Sequence, residues 1–301
     1  MVPEDARVVS GLRLASFRLW FPIFRSISAH VPPEFLARLA SPTVERAVWS
    51  RESVRQAICE NMAQVLGLPA GHRRVRDAGL EMLAHHSRLW IDFLRYTSRP
   101  LADPAVLVSL RVGDEQFLEA QRQGKGAIVL TAHVGNFELG GLFLRHLGLE
   151  VHTVYATDPS PVVEQHRQEA RNLIGVKGIR VTNSPFAFLP ILTALKRNAF
   201  VAIQGDRDIS GTGRRFPFFG KTASFPMGPF LLSALSGAPI FPVFVLRRED
   251  GRYATIVEPG LRVESDAPAV VERAMSSFVA TLERTIREHA SQWYLFTRFW
   301  E

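Results

Sequence analysis

The sequence predicts an α/β fold: a mixed, largely parallel sheet flanked by helices, with an N-terminal helical region. Three observations carry this. From about residue 112 onward, short apolar runs alternate with helically spaced segments, and such alternation builds a largely parallel sheet covered on both faces. Up to about residue 105 the pattern is helical throughout. The runs 240–246 and 252–257, joined by Glu249-Asp-Gly251, form a hairpin, which makes the sheet mixed.

In chain order, the spacing predicts helices over about 7–29, 43–66 and 72–97, separated by breaks at Pro32-Pro33, Pro69 and Pro100. Strands follow at 126–131, 150–155, 178–182, 199–204 and 239–246, with helices at 137–147, 161–174, 185–197 and 226–236, and a closing helix at 268–289. The uncharged stretch from Thr222 to Leu246 is long enough to span a bilayer, but Pro226, Pro229, Pro239 and Pro242 argue against one helix. It reads instead as a buried helix over Gly228 to Leu235, a turn at Ser236-Gly-Ala238, and a buried strand. The chain divides into an N-terminal helical region, 1–105, and an α/β core, 106–301, packed as one unit.

At 301 residues with 47% hydrophobic side chains, a sizeable core is available. The single cysteine, Cys59, excludes an intrachain disulfide and a multi-cysteine metal site. A net charge of +7 favours anionic partners: lipid headgroups or an acidic carrier protein. Nucleic acid fits poorly, because the arginines are scattered and neither zinc-finger spacing nor an aromatic RNA-binding motif occurs. The N-terminus lacks the charged start and unbroken apolar core of a cleavable signal. Within residues 8–29, Leu12, Phe17, Trp20, Phe21, Ile23 and Phe24 supply apolar surface, while Arg7, Arg18 and Arg25 fall within about 20° of one another on a helical wheel. Internal arginines and Pro22 disfavour a spanning helix and suit one lying in the membrane interface; docking on the protein's own core is the competing assignment.

The most informative stretch is Thr131-Ala-His-Val-Gly-Asn-Phe-Glu-Leu-Gly-Gly141. It joins the apolar run 127–130 to a helical segment, the edge where open α/β sheets place their ligands. His133 can accept a proton near neutral pH, and a carboxylate beside it can fix its tautomer. Five residues turn about 140° on a helix, so His133 and Glu138 converge only if His133 lies in the loop. Asn136 makes an N-cap plausible there, and Glu138 then falls in the first turn, where the helix dipole favours negative charge. The competing assignment leaves Glu138 as a dipole partner and His133 as a packed loop residue. Asp206-Arg207-Asp208 follows the strand ending near Gln204, placed for a cleft, and is followed by a long loop, Ile209 to Thr222. The Arg207 fork could hold a phosphate or carboxylate, or it could close a salt-bridged loop.

Several decoys fail. Gly220-Lys-Thr222 lacks the first glycine of a phosphate-binding loop, since position 215 is Arg. No Gly-x-Ser-x-Gly elbow or His-Glu-x-x-His pair occurs. His85 and His86 are adjacent on a helix and point about 100° apart, which disfavours a shared metal. The aromatic tail from Gln292 to Trp300 could seal a core or line an apolar pocket.

Taken together, these residues resemble the bacterial lipid A late (lauroyl/myristoyl) acyltransferase family, which is similar to the phosphatidylinositol mannoside acyltransferases within the lysophospholipid acyltransferase-like superfamily. The resemblance covers most of the chain. It rests on the helix Arg55 to Leu66, the His-x4-Glu signature at His133 and Glu138, the Arg171 to Gly175 segment, Asp206-Arg207-Asp208, the Phe218-Phe219-Gly220 turn and the tryptophan-rich end around Arg298. It implies the glycerol-phosphate acyltransferase-like fold and O-acyl transfer without metal or organic cofactor. It further implies that His133 is the general base, that Glu138 orients it, and that Asn136, Arg171, Asp206, Arg207, Asp208, Phe219, Gly220 and Arg298 line the substrate site. The implied donor is acyl carrier protein or acyl-CoA, the acceptor a membrane glycolipid, foremost a lipid A precursor, and the location the cytoplasmic face of a bacterial inner membrane. Many relatives carry a cleaner membrane-spanning N-terminal helix; the arginines here favour peripheral attachment. A mannosylated or amino-acid-based lipid acceptor, a thioesterase and an inactive lipid-binding protein are the alternatives.

Overall fold

A computed structural model describes residues 23, 26–28, 30–99, 101–156, 161–181, 184, 186–209 and 211–300. Most of the helix expected over 7–29 therefore lies outside the described residues. The first complete helix, α1 (Pro33–Trp49), begins with proline, whose fixed φ suits an opening turn. It runs through Pro42 at the cost of a backbone hydrogen bond. Extended backbone at Arg51 separates it from α2 (Glu52–Leu66), so the single helix expected over 43–66 is two. Gly67, at φ 63°, caps α2 in the left-handed conformation. The long α3 (Arg73–Ser98) matches its expected span to within a residue at each end, and α1 and α2 both pack on it.

The α/β core then runs β1 (Val108–Val112), α4 (Glu115–Gln123), β2 (Ala127–Thr131), α5 (Phe137–His146), β3 (Val151–Tyr155), α6 (Pro161–Leu173), β4 (Val176–Arg180), α7 (Leu189–Lys196) and β5 (Phe200–Gln204). It continues with β6 (Arg214–Phe218), β7 (Lys221–Phe225), α8 (Gly228–Ser236), β8 (Ile240–Arg247), β9 (Tyr253–Val257) and α9 (Pro268–Glu288). Seven strands form one sheet in the order β1-β9-β8-β2-β5-β3-β4. The block β8-β2-β5-β3-β4 is parallel throughout. β9 is antiparallel to β8 and β1 runs parallel to β9, so the sheet is mixed and largely parallel, as expected.

The β2 sequence Ala-Ile-Val-Leu-Thr shows why a parallel strand reads as an apolar run. Ile128 and Leu130 enter the core against α8 and α9, while Ala127 and Val129 enter the core against α4 and α5. Both faces are covered, so no polar alternation survives.

The α/β core departs from expectation at four points. β1 and α4 were not foreseen: β1 is a short, largely exposed edge strand whose alternating Val108, Leu110 and Val112 mark no buried face. β4 lies two residues earlier than the expected 178–182. α7 is shorter than 185–197, starting next to Pro190. The loop expected over Ile209 to Thr222 contains β6 and part of β7, an antiparallel hairpin. Its two-residue turn has Phe219 at φ 50° and Gly220 at φ 78°, the left-handed pair that hairpin turns require. Among the described residues, no helix is long and apolar enough to cross a membrane.

Candidate active site

β2 and β5 are neighbours, and Thr131 pairs with Gln204 at their C-terminal ends. Two residues beyond each end stand His133 and Asp206, so the register that zips the strands also brings these side chains together. His133 Nδ1 donates to Asp206 Oδ1 at 2.8 Å, and the His133 backbone N–H donates to Oδ2 at 3.1 Å. Trp293 Nε1 donates to the same Oδ2 at 3.2 Å. Asp206 is fully buried. Burial alone would raise its pKa; the charge and hydrogen bonds of His133, with the charge of Arg207, outweigh that and hold it at about 2.

The His133 side chain keeps 22% of its surface exposed. With Nδ1–H donating to a carboxylate, Nε2 is the ring nitrogen left with a free lone pair. Phe137 meets the ring edge-on, with centroids 5.5 Å apart.

The loop around His133 is pinned on both sides. Gly135 N donates to Gln292 O at 2.8 Å, Tyr294 N donates to His133 O at 2.9 Å, and Asn136 N donates to Val245 O at 2.7 Å. The loop thus lies between the end of β8 and the C-terminal segment. Gly135, at φ 62°, has no alternative: a Cβ there would come 2.0 Å from Val245 O. Gln292 fixes the other border, accepting from Arg247 N and donating to Arg247 O at 2.8 Å each. The aromatic tail therefore seals the core and also backs the site, through Trp293.

Glu138 takes a different part from the one expected. Its carboxylate receives Arg171 Nη2 at 2.8 and 3.0 Å and Nε at 3.2 Å, with Arg167 Nε 3.7 Å away. The carboxylate that meets His133 Nδ1 is Asp206's; Glu138 ties the first turn of α5 to α6. Asn136, expected among the substrate-binding residues, is buried and occupied within the fold. Its Oδ1 caps α5 by accepting from Leu139 N at 3.2 Å, and its Nδ2 donates to Tyr253 Oη at 3.0 Å.

Other expected site residues are dispersed. Arg207 Nη2 donates to Tyr294 O at 2.7 Å, beside His133. Asp208 receives Gly213 N and Ser224 Oγ at 2.8 Å each, bracing the β6–β7 hairpin. Phe219 is buried in the hairpin turn, where its carbonyl accepts from Gln64 Nε2 at 2.6 Å. Arg298 pairs with Glu60 at 2.6 Å, joining the tail to α2.

A polar chain behind the site and the packing of His86 were not foreseen from the sequence. Asp92, on α3, accepts from Tyr253 Oη at 2.5 Å and from Arg88 Nε at 2.8 Å; Arg88 also reaches Glu34 on α1. This chain runs from the exposed Glu34 on α1 inward to the buried Asn136 cap. The pair Arg88 and Asp92, one helical turn apart on an otherwise apolar face, was its only sequence signal. His86 packs against Tyr294 and Phe296, with ring centroids 5.3 and 4.8 Å away. Burial, then the charges of His133 and Arg207, pushes its pKa down to about 4, so it is neutral near pH 7. An apolar cavity of about 50 Å³ lies between α5 and the sheet, lined by Val129, Thr131, Phe137, Gly140 and Leu144.

An imidazole backed by a buried carboxylate, at the C-terminal edge of a parallel sheet and beside an apolar cavity, defines a candidate proton-transfer site serving an apolar substrate. Comparison with known proteins gives the class a family: residues 9–301 match Bacterial lipid A biosynthesis acyltransferase, and the chain belongs to that family as an O-acyltransferase. It is similar to the phosphatidylinositol mannoside acyltransferase of Mycobacterium tuberculosis (strain CDC 1551 / Oshkosh), 25% identical over 281 residues, covering 89% of this chain and 84% of the relative. The phosphatidylinositol mannoside acyltransferase of Mycolicibacterium smegmatis is 26% identical, covering 83% and 81%. A lipid A biosynthesis acyltransferase of Haemophilus influenzae is 25% identical, covering 55% and 51%.

Proposed function

We propose that the protein moves a fatty acyl chain from a thioester, on acyl carrier protein or CoA, to a sugar hydroxyl of a membrane glycolipid. The observation that carries this is the 2.8 Å contact between His133 Nδ1 and the buried Asp206. His133 Nε2 takes the acceptor's hydroxyl proton while the oxygen attacks the thioester carbonyl. The tetrahedral intermediate collapses with cleavage of the C–S bond, and the imidazolium returns its proton to the leaving thiolate. Asp206 stabilises the imidazolium, and its hydrogen bond to Nδ1 keeps the ring in the productive tautomer. Arg207 adds positive charge near the developing oxyanion. Part of the acyl chain enters the apolar cavity beneath α5. The N-terminal region, residues 1–105, contributes to holding the protein at the cytoplasmic membrane face, where both donors are found.

Two acceptors are supported by specific observations. The family match over residues 9–301 favours a lipid A precursor, and the mannoside acyltransferase relatives, aligned over more of the chain than the lipid A one, favour a mannosylated lipid. Purified protein with labelled acyl carrier protein or acyl-CoA, offered each acceptor separately, distinguishes them by which lipid gains an acyl chain in mass spectrometry. Full-rate release of free fatty acid without acceptor would mark a thioesterase and overturn the transferase reading.

A further inference from the structure

The C-terminal edge of the sheet carries apolar side chains that the fold leaves uncovered. Phe186 is 66% exposed, Leu189 48% and Ile209 80%, with Phe188 beside them at 38%. Their placement follows from topology. The connection from β4 to the parallel β5 leaves β4 at its C-terminal end, so residues 186–189, at the entry to α7, sit at that edge. Ile209 lies five residues beyond the end of β5, at the same edge. His133 stands at this edge too, two residues past β2. Scattered exposed leucines are ordinary, but aromatic and aliphatic groups exposed along one edge of a sheet mark an interaction surface.

Charge identifies the occupant. Arg180, the last residue of β4, and Arg214 and Arg215, the first of β6, are exposed and have no carboxylate partner among the described residues. Asp208 ties the base of the hairpin to the β5 end through Gly213 and Ser224, which keeps Arg214 and Arg215 close to Ile209. Apolar side chains interspersed with unpaired guanidinium groups suit an anionic bilayer, where hydrocarbon and phosphate are met within a few ångströms.

We propose that this edge is a bilayer-docking surface: Phe186, Phe188, Leu189 and Ile209 enter an anionic membrane, and Arg180, Arg214 and Arg215 hold its headgroup phosphates. The proposal rests on the glycolipid reading of the acceptor and deepens it. Docked this way, the sheet edge that carries His133 faces the lipid surface, and the acceptor hydroxyl reaches Nε2 without leaving the bilayer.

The test uses the full chain and phosphatidylcholine vesicles prepared with and without phosphatidylglycerol. The double variant Phe186→Ser/Ile209→Ser should lower partition onto phosphatidylglycerol vesicles about tenfold or more. Leu235→Ser, which changes a 61% exposed leucine at the opposite edge of the sheet, should leave partition unchanged. Arg214→Gln/Arg215→Gln should remove the preference for phosphatidylglycerol over pure phosphatidylcholine. Wild-type partition by the double variant would overturn the proposal and place membrane affinity elsewhere in the chain. So would loss of self-association in sedimentation velocity with vesicle binding intact, since the patch would then join two copies. Because vesicle binding is read without turnover, its failure is distinct from failure of acyl transfer.

Discussion

Asp206 Oδ1 lies 2.8 Å from His133 Nδ1 although 73 residues separate the two in sequence. The pairing of Thr131 with Gln204 makes the contact, because each partner overhangs its strand by two residues. The other oxygen of Asp206 is held by the His133 and Trp293 N–H groups, so the carboxylate cannot rotate away. The imidazole is thereby oriented before any substrate arrives.

This geometry separates two carboxylates that spacing alone confuses. Asp206→Asn keeps size but removes the charge. Its amide oxygen stays with the His133 and Trp293 N–H groups, so NH2 faces Nδ1, and kcat should fall on the order of 10³-fold with KM little changed. Glu138→Gln weakens the buried pair with Arg171 and should instead lower thermal stability, by about 1–3 kcal/mol, while retaining most of kcat. Steady-state kinetics and thermal melts on the two variants check this. The dyad assignment fails if Glu138→Gln is the variant that loses turnover and Asp206→Asn keeps it.

What the sequence made legible follows from local physics. The apolar run at β2, the cap at Asn136 and the helix behind it are each encoded within about ten residues, so the position of His133 at a strand exit could be read directly. The partner of His133 could not. That β5 lies beside β2, with β3 on its far side, is a property of sheet order, which no local pattern encodes. Glu138 attracted attention as the nearest acid in sequence, yet the first turn of α5 aims it at Arg171 on α6. The chain Glu34–Arg88–Asp92–Tyr253–Asn136 was hidden for the same reason, since Asp92 and Tyr253 are 161 residues apart.

Tyr253 offers a test of whether that chain positions the site. Its hydroxyl joins Asp92 to the Asn136 amide, which caps the helix directly after the His133 loop. Tyr253→Phe leaves Asn136 Nδ2 without its buried partner, a cost of about 1–3 kcal/mol. Melting temperature should fall by several degrees, about 2–4 °C per kcal/mol, and kcat should fall with it. Asp92→Ala strands the Arg88 charge and should cost more, about 3–5 kcal/mol. A Tyr253→Phe protein with unchanged melting temperature would remove the chain from any positioning role.

His86 makes a prediction about acid. Its pKa is depressed from 6.5 to about 4, so between these values the unfolded chain binds the proton that the folded protein refuses. Stability is therefore full above about pH 6.5 and declines as pH falls toward 4. Asp206, held near 2, adds a further loss only below its unfolded value of 3.8. His86→Gln keeps an acceptor for Trp90 Nε1, which lies 3.3 Å from His86 Nε2, and removes the titration. Its melting temperature should drop less between pH 7 and pH 5 than the wild type's, by at least about 2 °C. Parallel curves for the two proteins would remove His86 as the source.

Gly140 connects the apolar cavity to chain selection. A Cβ at this position would meet Val245 Cγ2 at 3.6 Å, an ordinary contact, so Gly140→Ala fits. At the neighbouring Gly141 a Cβ would press on Val176 Cγ2 at 2.9 Å, and alanine there should destabilise. Gly140→Ala should stabilise α5 by about 0.5–1 kcal/mol through backbone entropy, while narrowing the cavity. Gly140→Val narrows it further. If the acyl chain lies under α5, the ratio of kcat/KM for long over short acyl thioesters should fall from glycine to alanine to valine. Competition assays with mixed-length donors, read by mass spectrometry of the product lipid, give that ratio directly. A ratio that stays constant across the three proteins would place the acyl chain elsewhere, even if turnover itself declines.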